Sequence, residues 1–310
     1  MTRIAHGMRT RLRRAALLNA ACALSFVLPS SAAADPDGLT AGELAWLAAH
    51  APVRFAPERA YGPFVYLAVD GTLQGLSIDY LQAIARHTGL RLAYLPPAPL
   101  AHNLALARGR EADLVSSLRP TPERSAYLAF TQPYVSIPAV VVVRAEEKGG
   151  ADLRALAGRT VAVGRSYAVE RHVRERHPSV GWVAVADDRE GLAGVREGRF
   201  DAAVADVASV RFIVHHHRLE GLRLGEPVGF EYALSFAYRR DWPELGAILE
   251  HGLRRLSAAE RQVLHDRWVE PYRSVDADGD RTTLMAVGAG CVVLAMAVAP
   301  LALRKRRASE

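Results

Sequence analysis

Short apolar runs recur through the middle of the chain: Leu114-Val115, Val140-Val-Val-Val143, Val161-Ala-Val163 and Ala202-Ala-Val204, with helical patterns between them. Runs of this length without polar alternation predict strands buried on both faces, and strands spaced by helices predict an α/β domain on a parallel sheet. Further on, Ser257-Ala-Ala-Glu260 has the spacing of a capping box, and Val263, Leu264 and Trp268 are expected on one helical face. Two other apolar segments lie near the ends. Residues 15–28 follow Arg9, Arg11, Arg13 and Arg14 and lead to Ala32-Ala33-Ala34, the pattern of a secretory signal at 1–34 with cleavage expected after Ala34. Residues 283–303 carry no charge and are followed by Arg304-Lys-Arg-Arg307, which predicts a transmembrane helix with its basic tail (304–310) in the cytoplasm.

The chemistry concentrates after Asp113. The strand of Leu114-Val115 opens into Ser116-Ser117, and ligands of α/β sheets sit at the carboxyl ends of strands. Pro120 and Pro122 stiffen the next turn, and Thr121 followed by Glu123-Arg124 predicts the entry of a helix that carries Arg124 beside the hydroxyls. A guanidinium fork with hydroxyl neighbours suits a carboxylate. A second unit has the same form: Gly109-Arg-Glu-Ala-Asp113 precedes the serines, and Gly198-Arg-Phe-Asp201 precedes a strand ending at Asp206. Each unit is expected to supply one wall of a cleft. The residues alone leave a second reading for each group: Arg124 as a helix cap, Asp206 as a surface N-cap, Tyr61 as core.

These stretches, with Tyr61-Gly-Pro-Phe64, Asp70-Gly71, Gly75-Leu-Ser-Ile-Asp79, Phe130-Thr-Gln-Pro-Tyr134 and Leu156-Ala-Gly158, resemble the bacterial extracellular solute-binding proteins of family 3 over roughly residues 40–272. The opening Leu39-Thr-Ala-Gly-Glu43, Trp46 and His50 look closer still to the flytrap sensor domains of hybrid histidine kinases. The resemblance implies an α/β, two-lobed periplasmic-binding-protein type II fold (Venus flytrap), here with a C-terminal transmembrane helix. Lobe 1 would comprise 35–143 and 231–272, lobe 2 would be 144–230, and 273–282 a juxtamembrane linker. It further implies that Arg124 clamps a ligand carboxylate, Asp206 its ammonium, and Tyr61 stacks on it, with Ser116 and Ser117 as donors. Two departures bear on the ligand. Arg119 would add a second cation and favour an acidic ligand, such as a dicarboxylate or aromatic acid. Arg165-Ser166-Tyr167-Ala168 keeps one hydroxyl, Ser166, to cap a helix and meet an anion, while Tyr167 would narrow the pocket or stack on a ring. Glu58 matches an acidic family position but is expected to face water.

The formal charge of +6 comes from the ends: five basic residues stand in 1–34 and four in 304–310, so the intervening domain is slightly acidic and nucleic acid is not implied. The two cysteines, Cys22 and Cys291, fall in the expected signal and span, which excludes disulfides and thiol chemistry from the exported domain. His215-His216-His217 are adjacent and lack a spaced carboxylate, so no metal site is expected, nor any cofactor. Asp276-Ala-Asp-Gly-Asp280 has its glycine misplaced for a calcium loop. The resulting expectation is no enzyme but a single-pass inner-membrane receptor with its binding domain in the periplasm. It would close on a small amino acid or organic acid and present it to an importer permease or sensory partner. A flytrap engaged only in protein contacts, or a cyclohexadienyl-dehydratase-like enzyme using Glu58 or Glu231, are the alternatives.

Overall fold

A computed structural model describes residues 38–272. The expected signal, linker, span and tail lie outside the described residues. Among the described residues no helix is long and apolar enough to cross a membrane.

The first lobe opens with α1 (Ala41–His50) and β1 (Val53–Ala56), then a small antiparallel sheet of β2 (Ala60–Tyr61), β3 (Val65–Leu67) and β4 (Leu73–Gln74). It continues through α2 (Leu76–Thr88), β5 (Leu92–Tyr94), α3 (Leu100–Arg108), β6 (Leu114–Leu118) and β7 (Leu128–Phe130). β8 (Val135–Arg144) crosses to the second lobe, which holds β9 (Thr160–Gly164), α4 (Ala168–Arg176), β10 (Gly181–Val185), α5 (Asp188–Arg196), β11 (Ala202–Asp206) and α6 (Val207–His216). β12 (Leu222–Arg239) crosses back, and α7 (Pro243–Arg255) and α8 (Ala258–Trp268) complete the first lobe.

Both lobes have one topology. In each, the first strand is flanked by two parallel strands, and an antiparallel crossing strand lies beyond: β5-β1-β6-β12 in one, β10-β9-β11-β8 in the other. β8 and β12 pair antiparallel along both crossings, from Val135↔Leu234 to Arg144↔Leu222. The valine run 140–143 is therefore antiparallel to both its neighbours, not part of a parallel sheet as its composition suggested. Because Ala139 to Val143 already pair with β11, the chain has entered the second lobe's sheet before residue 143.

Sequence features account for the local geometry. Thr40 and Glu43 form a capping box on α1, and Ser257 and Glu260 form the expected one on α8. On α8, Trp268 is buried and Leu264 half-buried, but Val263 is 64% exposed: at 100° from Leu264 it falls off the packed face. α2 begins at Gly75, whose φ of 125° and a Cβ position 2.3 Å from the Phe64 carbonyl oxygen allow only glycine.

The two repeated units are tied in the same way. Asp113, just ahead of β6, accepts from the Arg54 backbone N–H at 2.9 Å and from its guanidinium at 2.7 and 2.8 Å. Asp201, just ahead of β11, accepts from Thr160 N–H at 2.8 Å, Thr160 Oγ1 at 2.9 Å and the Arg159 guanidinium at 3.0 Å. Each aspartate thus fixes the register between a cleft-bearing strand and the strand beside it. Replacing Asp113 with Ala leaves the Arg54 backbone N–H and Nε–H without their acceptor, while Nη2 keeps the Arg110 carbonyl oxygen, and is expected to cost about 2 kcal/mol. Calorimetry should register a fall of roughly 4–8 °C in Tm, against a negligible change for Asp70→Ala on an exposed turn.

Candidate functional site

Most of the candidate groups stand at the carboxyl end of a parallel strand or just beyond it: Glu58 after β1, Ser116 and Ser117 in β6, Ser166 and Tyr167 after β9, Asp187 and Asp188 after β10, and Asp206 at the end of β11; Tyr61 comes from β2 and Arg124 from the turn that follows β6. The crossing strands set these ends face to face, and the lobes are closed. A small cavity between them, of ≈ 10 Å³, is bounded by Glu58, Tyr61, Ser117, Arg119, Arg124, Tyr167 and Tyr232 among others. That is the room of about one water. Here the cleft is filled by its own side chains, while a wider space of ≈ 420 Å³ opens beside it between α3 and α4, with Arg124 and Tyr167 on its border.

Two hydrogen bonds join the lobes across it. The Arg124 guanidinium donates to the Ser166 carbonyl oxygen at 2.7 Å and, on its own lobe, to the Arg119 carbonyl oxygen at 2.7 Å. The Tyr167 hydroxyl donates to Glu58 Oε1. The Tyr61 and Tyr167 rings meet at 5.6 Å. Arg124 is buried and begins a three-residue 3₁₀ turn, Arg124–Ala126, rather than the longer helix expected; Thr121 Oγ1 accepts its backbone N–H at 3.2 Å.

Other expectations meet different surroundings. Glu58 does not face water: it is 3% exposed, because Tyr167 of the opposite lobe covers it. Arg119 borders the cavity, but its guanidinium lies 4.3 Å from the centre of the Phe230 ring and donates to the Glu231 carbonyl oxygen, so it braces the hinge instead of presenting a free cation. Ser117, at φ 59°, is held by Ser77 Oγ at 2.7 Å, and its N–H donates to the Tyr134 hydroxyl at 3.0 Å. Ser116 is buried with an unpartnered hydroxyl and does not border the cavity. Ser166 does not cap α4. Its φ is 65°, its N–H donates to Glu170 at 2.8 Å, and the N-cap residue is Tyr167. Asp206 is both an N-cap and fully buried: Oδ1 accepts from Ser209 N–H at 2.8 Å, while Oδ2 has no partner. Glu231, exposed on β12, accepts from the Ser136 hydroxyl.

Asp188 and Tyr232 were not singled out from the sequence. Asp187 caps α5 through Glu190 N–H at 2.9 Å, so the Asp187-Asp188 pair reads as a helix start, which conceals the burial of Asp188. The result is a buried carboxyl cluster. Burial pushes the Glu58 carboxyl up to about 8, against the pull of the Tyr167 bond. It pushes Asp206 up to about 6, against its bond from Ser209. Asp188 rises well above the usual range through burial and the nearby charges of Asp206 and Glu58. Burial lowers Arg124 from its ordinary value. The side-chain hydroxyls of Tyr61 and Tyr232 and Oδ2 of Asp188 also lack partners. An ensemble of buried acceptors with one guanidinium suits a ligand that brings one carboxylate and more than one N–H donor.

Comparison with known proteins agrees with this architecture. Over 248 residues the chain is 29% identical to the virulence sensor protein BvgS of Bordetella bronchiseptica, covering 80% of this chain and 20% of that protein. It is 25% identical over 246 residues to the sensor protein EvgS of Escherichia coli, covering 78% of this chain and 20% of that protein. The chain thus spans about a fifth of the length of these sensors. With the ABC transporter arginine-binding protein 1 of Escherichia coli it shares 24% identity over 221 residues, 70% of this chain and 90% of that protein. Among solved structures, the periplasmic VFT2 domain of Bordetella pertussis BvgS superposes with a TM-score of 0.68 at 28% identity, covering 75% of this chain and 99% of that domain. The family model for bacterial extracellular solute-binding proteins, family 3, matches residues 53–271. The protein is a two-lobed flytrap and belongs to that family.

Proposed function

We propose that this chain is a membrane-tethered solute receptor, held by the span at 283–303 with its flytrap on the periplasmic side, that closes on a small amino acid and presents the closed form to a sensory partner. The observation that carries the reading is the opposition of Arg124 to the buried carboxyls Asp188 and Asp206 across one closable cleft, with Glu58 buried beside Arg124 on the first lobe. Arg124 would take the ligand carboxylate, Asp206 its ammonium, and Tyr61 would pack on its body. Ser117 and Tyr167 would border the site. The surplus of carboxyls favours a ligand with a second cationic group over the dicarboxylate that Arg119 first suggested. The sensor relatives support a signalling output, and the arginine-binding relative keeps an importer as the second reading.

The ligand would have to displace the cleft's own contacts. Tyr167 to Glu58 and Arg124 to Ser166 hold the lobes together, and a ligand shifts the equilibrium only by its differential affinity for the two states. Closure is also linked to protons. Glu58 and Asp206 have ordinary values of 4.5 and 3.8 when solvated and about 8 and 6 when buried, so the closed form takes up protons that the open or unfolded chain releases. The stabilisation is complete below about pH 4 and is lost as pH rises through 6 and then 8.

Three outcomes are expected. Thermal-shift titration of the full-length chain should give a higher Tm with arginine or lysine than with glutamate, the stabilisation over the unliganded chain reaching roughly 2.7 kcal/mol at 100 times the dissociation constant. Arg124→Ala and Asp206→Asn should abolish the gain; silence towards every amino acid would instead favour a flytrap engaged only in protein contacts. Without ligand, Tm should fall by several degrees between pH 5 and pH 8.5, and Glu58→Gln should flatten that slope; an unchanged slope would place the linkage elsewhere. Tyr167→Phe, which removes one bond between the lobes, should shift small-angle scattering towards a more open form and tighten ligand binding several-fold.

A further inference from the structure

A space on another side of the molecule, also between the lobes, shares no bordering residue with the central cavity. It is a groove of ≈ 430 Å³ between the small sheet of lobe 1 and α5 and α6 of lobe 2, a size typical of small-molecule sites. Aromatic side chains make its inner wall. The Phe212 ring lies 4.7 Å from Tyr66 and stacks on His216 at 3.9 Å. Gly62 admits it: a Cβ there would stand 2.1 Å from the Phe212 ring. Leu67 and Val69 extend the apolar surface towards solvent, and both are exposed.

The charge of the groove is of one sign. Arg59 of lobe 1 and Arg189 of lobe 2 border it, both exposed and neither guanidinium with a hydrogen-bond or ion-pair partner among the described residues. Among the described residues no acidic side chain borders it. His216 and His217 also stand there. Burial lowers both below the ordinary imidazole range, so the permanent charge is that of the two arginines. A guanidinium pairs with a carboxylate through parallel N–H donors, and ring edges and faces accept a flat apolar body.

We propose that this groove is a second ligand site, for an aryl carboxylate whose carboxylate is shared by Arg59 and Arg189 and whose ring lies against Tyr66 and Phe212. Since the two arginines belong to opposite lobes, an occupant links them and favours the closed form. The site shares no residue with the central cleft and is coupled to it only through closure.

The test is titration of the full-length chain, in lipid nanodiscs, with phenylacetate, followed by ligand NMR. Saturable binding is expected, and Arg124→Ala, which alters no residue of the groove but loses one bond between the lobes, should weaken it less than loss of the groove arginines does. The double variant Arg59→Ala, Arg189→Ala should bind roughly tenfold or more weakly, as should phenylacetamide to the unaltered chain, because each loses a charge-assisted contact. Both arginines are exposed, so an unchanged Tm of the double variant shows that folding is intact. Absence of saturable binding, equal binding of phenylacetamide, or binding lost in Arg124→Ala but kept in the double variant would overturn the proposal.

Discussion

Closing the lobes removes Glu58, Asp188 and Asp206 from water together with one buried guanidinium among the described residues, that of Arg124. Three charged carboxylates could not be buried together at that ratio, because desolvation and mutual repulsion would exceed what one cation returns. The closed state is therefore possible only with protons on some of these groups or with added positive charge. Most of what surrounds the cleft follows from that constraint. Tyr167 covers Glu58 and donates to it, Ser209 N–H satisfies one oxygen of Asp206, and the second oxygens of Asp188 and Asp206 stay unpartnered. A ligand with cationic donors relieves the same deficit that protons relieve, which is why proton uptake and ligand binding are two forms of one equilibrium here.

The scaffold delivers these groups by repetition. Each lobe uses the same strand order, and each ties its cleft strand to a neighbour through an aspartate that receives a backbone N–H and a guanidinium. With the strand ends fixed within each lobe, the remaining freedom lies in β8 and β12, whose pairing shows register shifts between Leu224 and Glu231. Arg119 sits beside this stretch, over Phe230 and bonded to Glu231. A side chain that sequence comparison assigns to the ligand thus acts, in the closed state, on the crossing strand.

The legible parts of the chain were those governed by local pattern. Valine and alanine runs mark the strands, and Thr40 and Ser257 mark helix starts through their glutamates three residues on. Strand direction was not legible: Val140 to Val143 look like any buried strand, and only their long-range pairing with β11 on one side and β12 on the other makes them antiparallel. In the candidate site, Arg124 and Asp206 could be found from motifs at strand ends, whereas Glu58 could not be read as buried. Its cover, Tyr167, lies 109 residues away and on the other lobe. Asp188 was hidden for a different reason, since an acidic pair ahead of a helix is sufficiently explained by capping.

Closure also reaches the place where the described chain ends. The last turn, Glu270–Tyr272, follows α8 of the first lobe, yet the Tyr272 ring meets Phe212 of the second lobe at 5.6 Å and His216 at 6.5 Å. Trp268, one turn earlier, meets Tyr66 at 6.3 Å and donates from its indole N–H to Asp79 at 2.7 Å. One aromatic cluster therefore holds the small sheet of lobe 1, α6 of lobe 2 and the segment leading to residue 273. Opening the lobes must either separate Tyr272 from Phe212 or draw the turn along with α6. In both cases the state of the cleft alters the packing of the residues that lead out of the domain, so the energetic balance among Glu58, Asp188, Asp206 and Arg124 is expressed at its C-terminal edge.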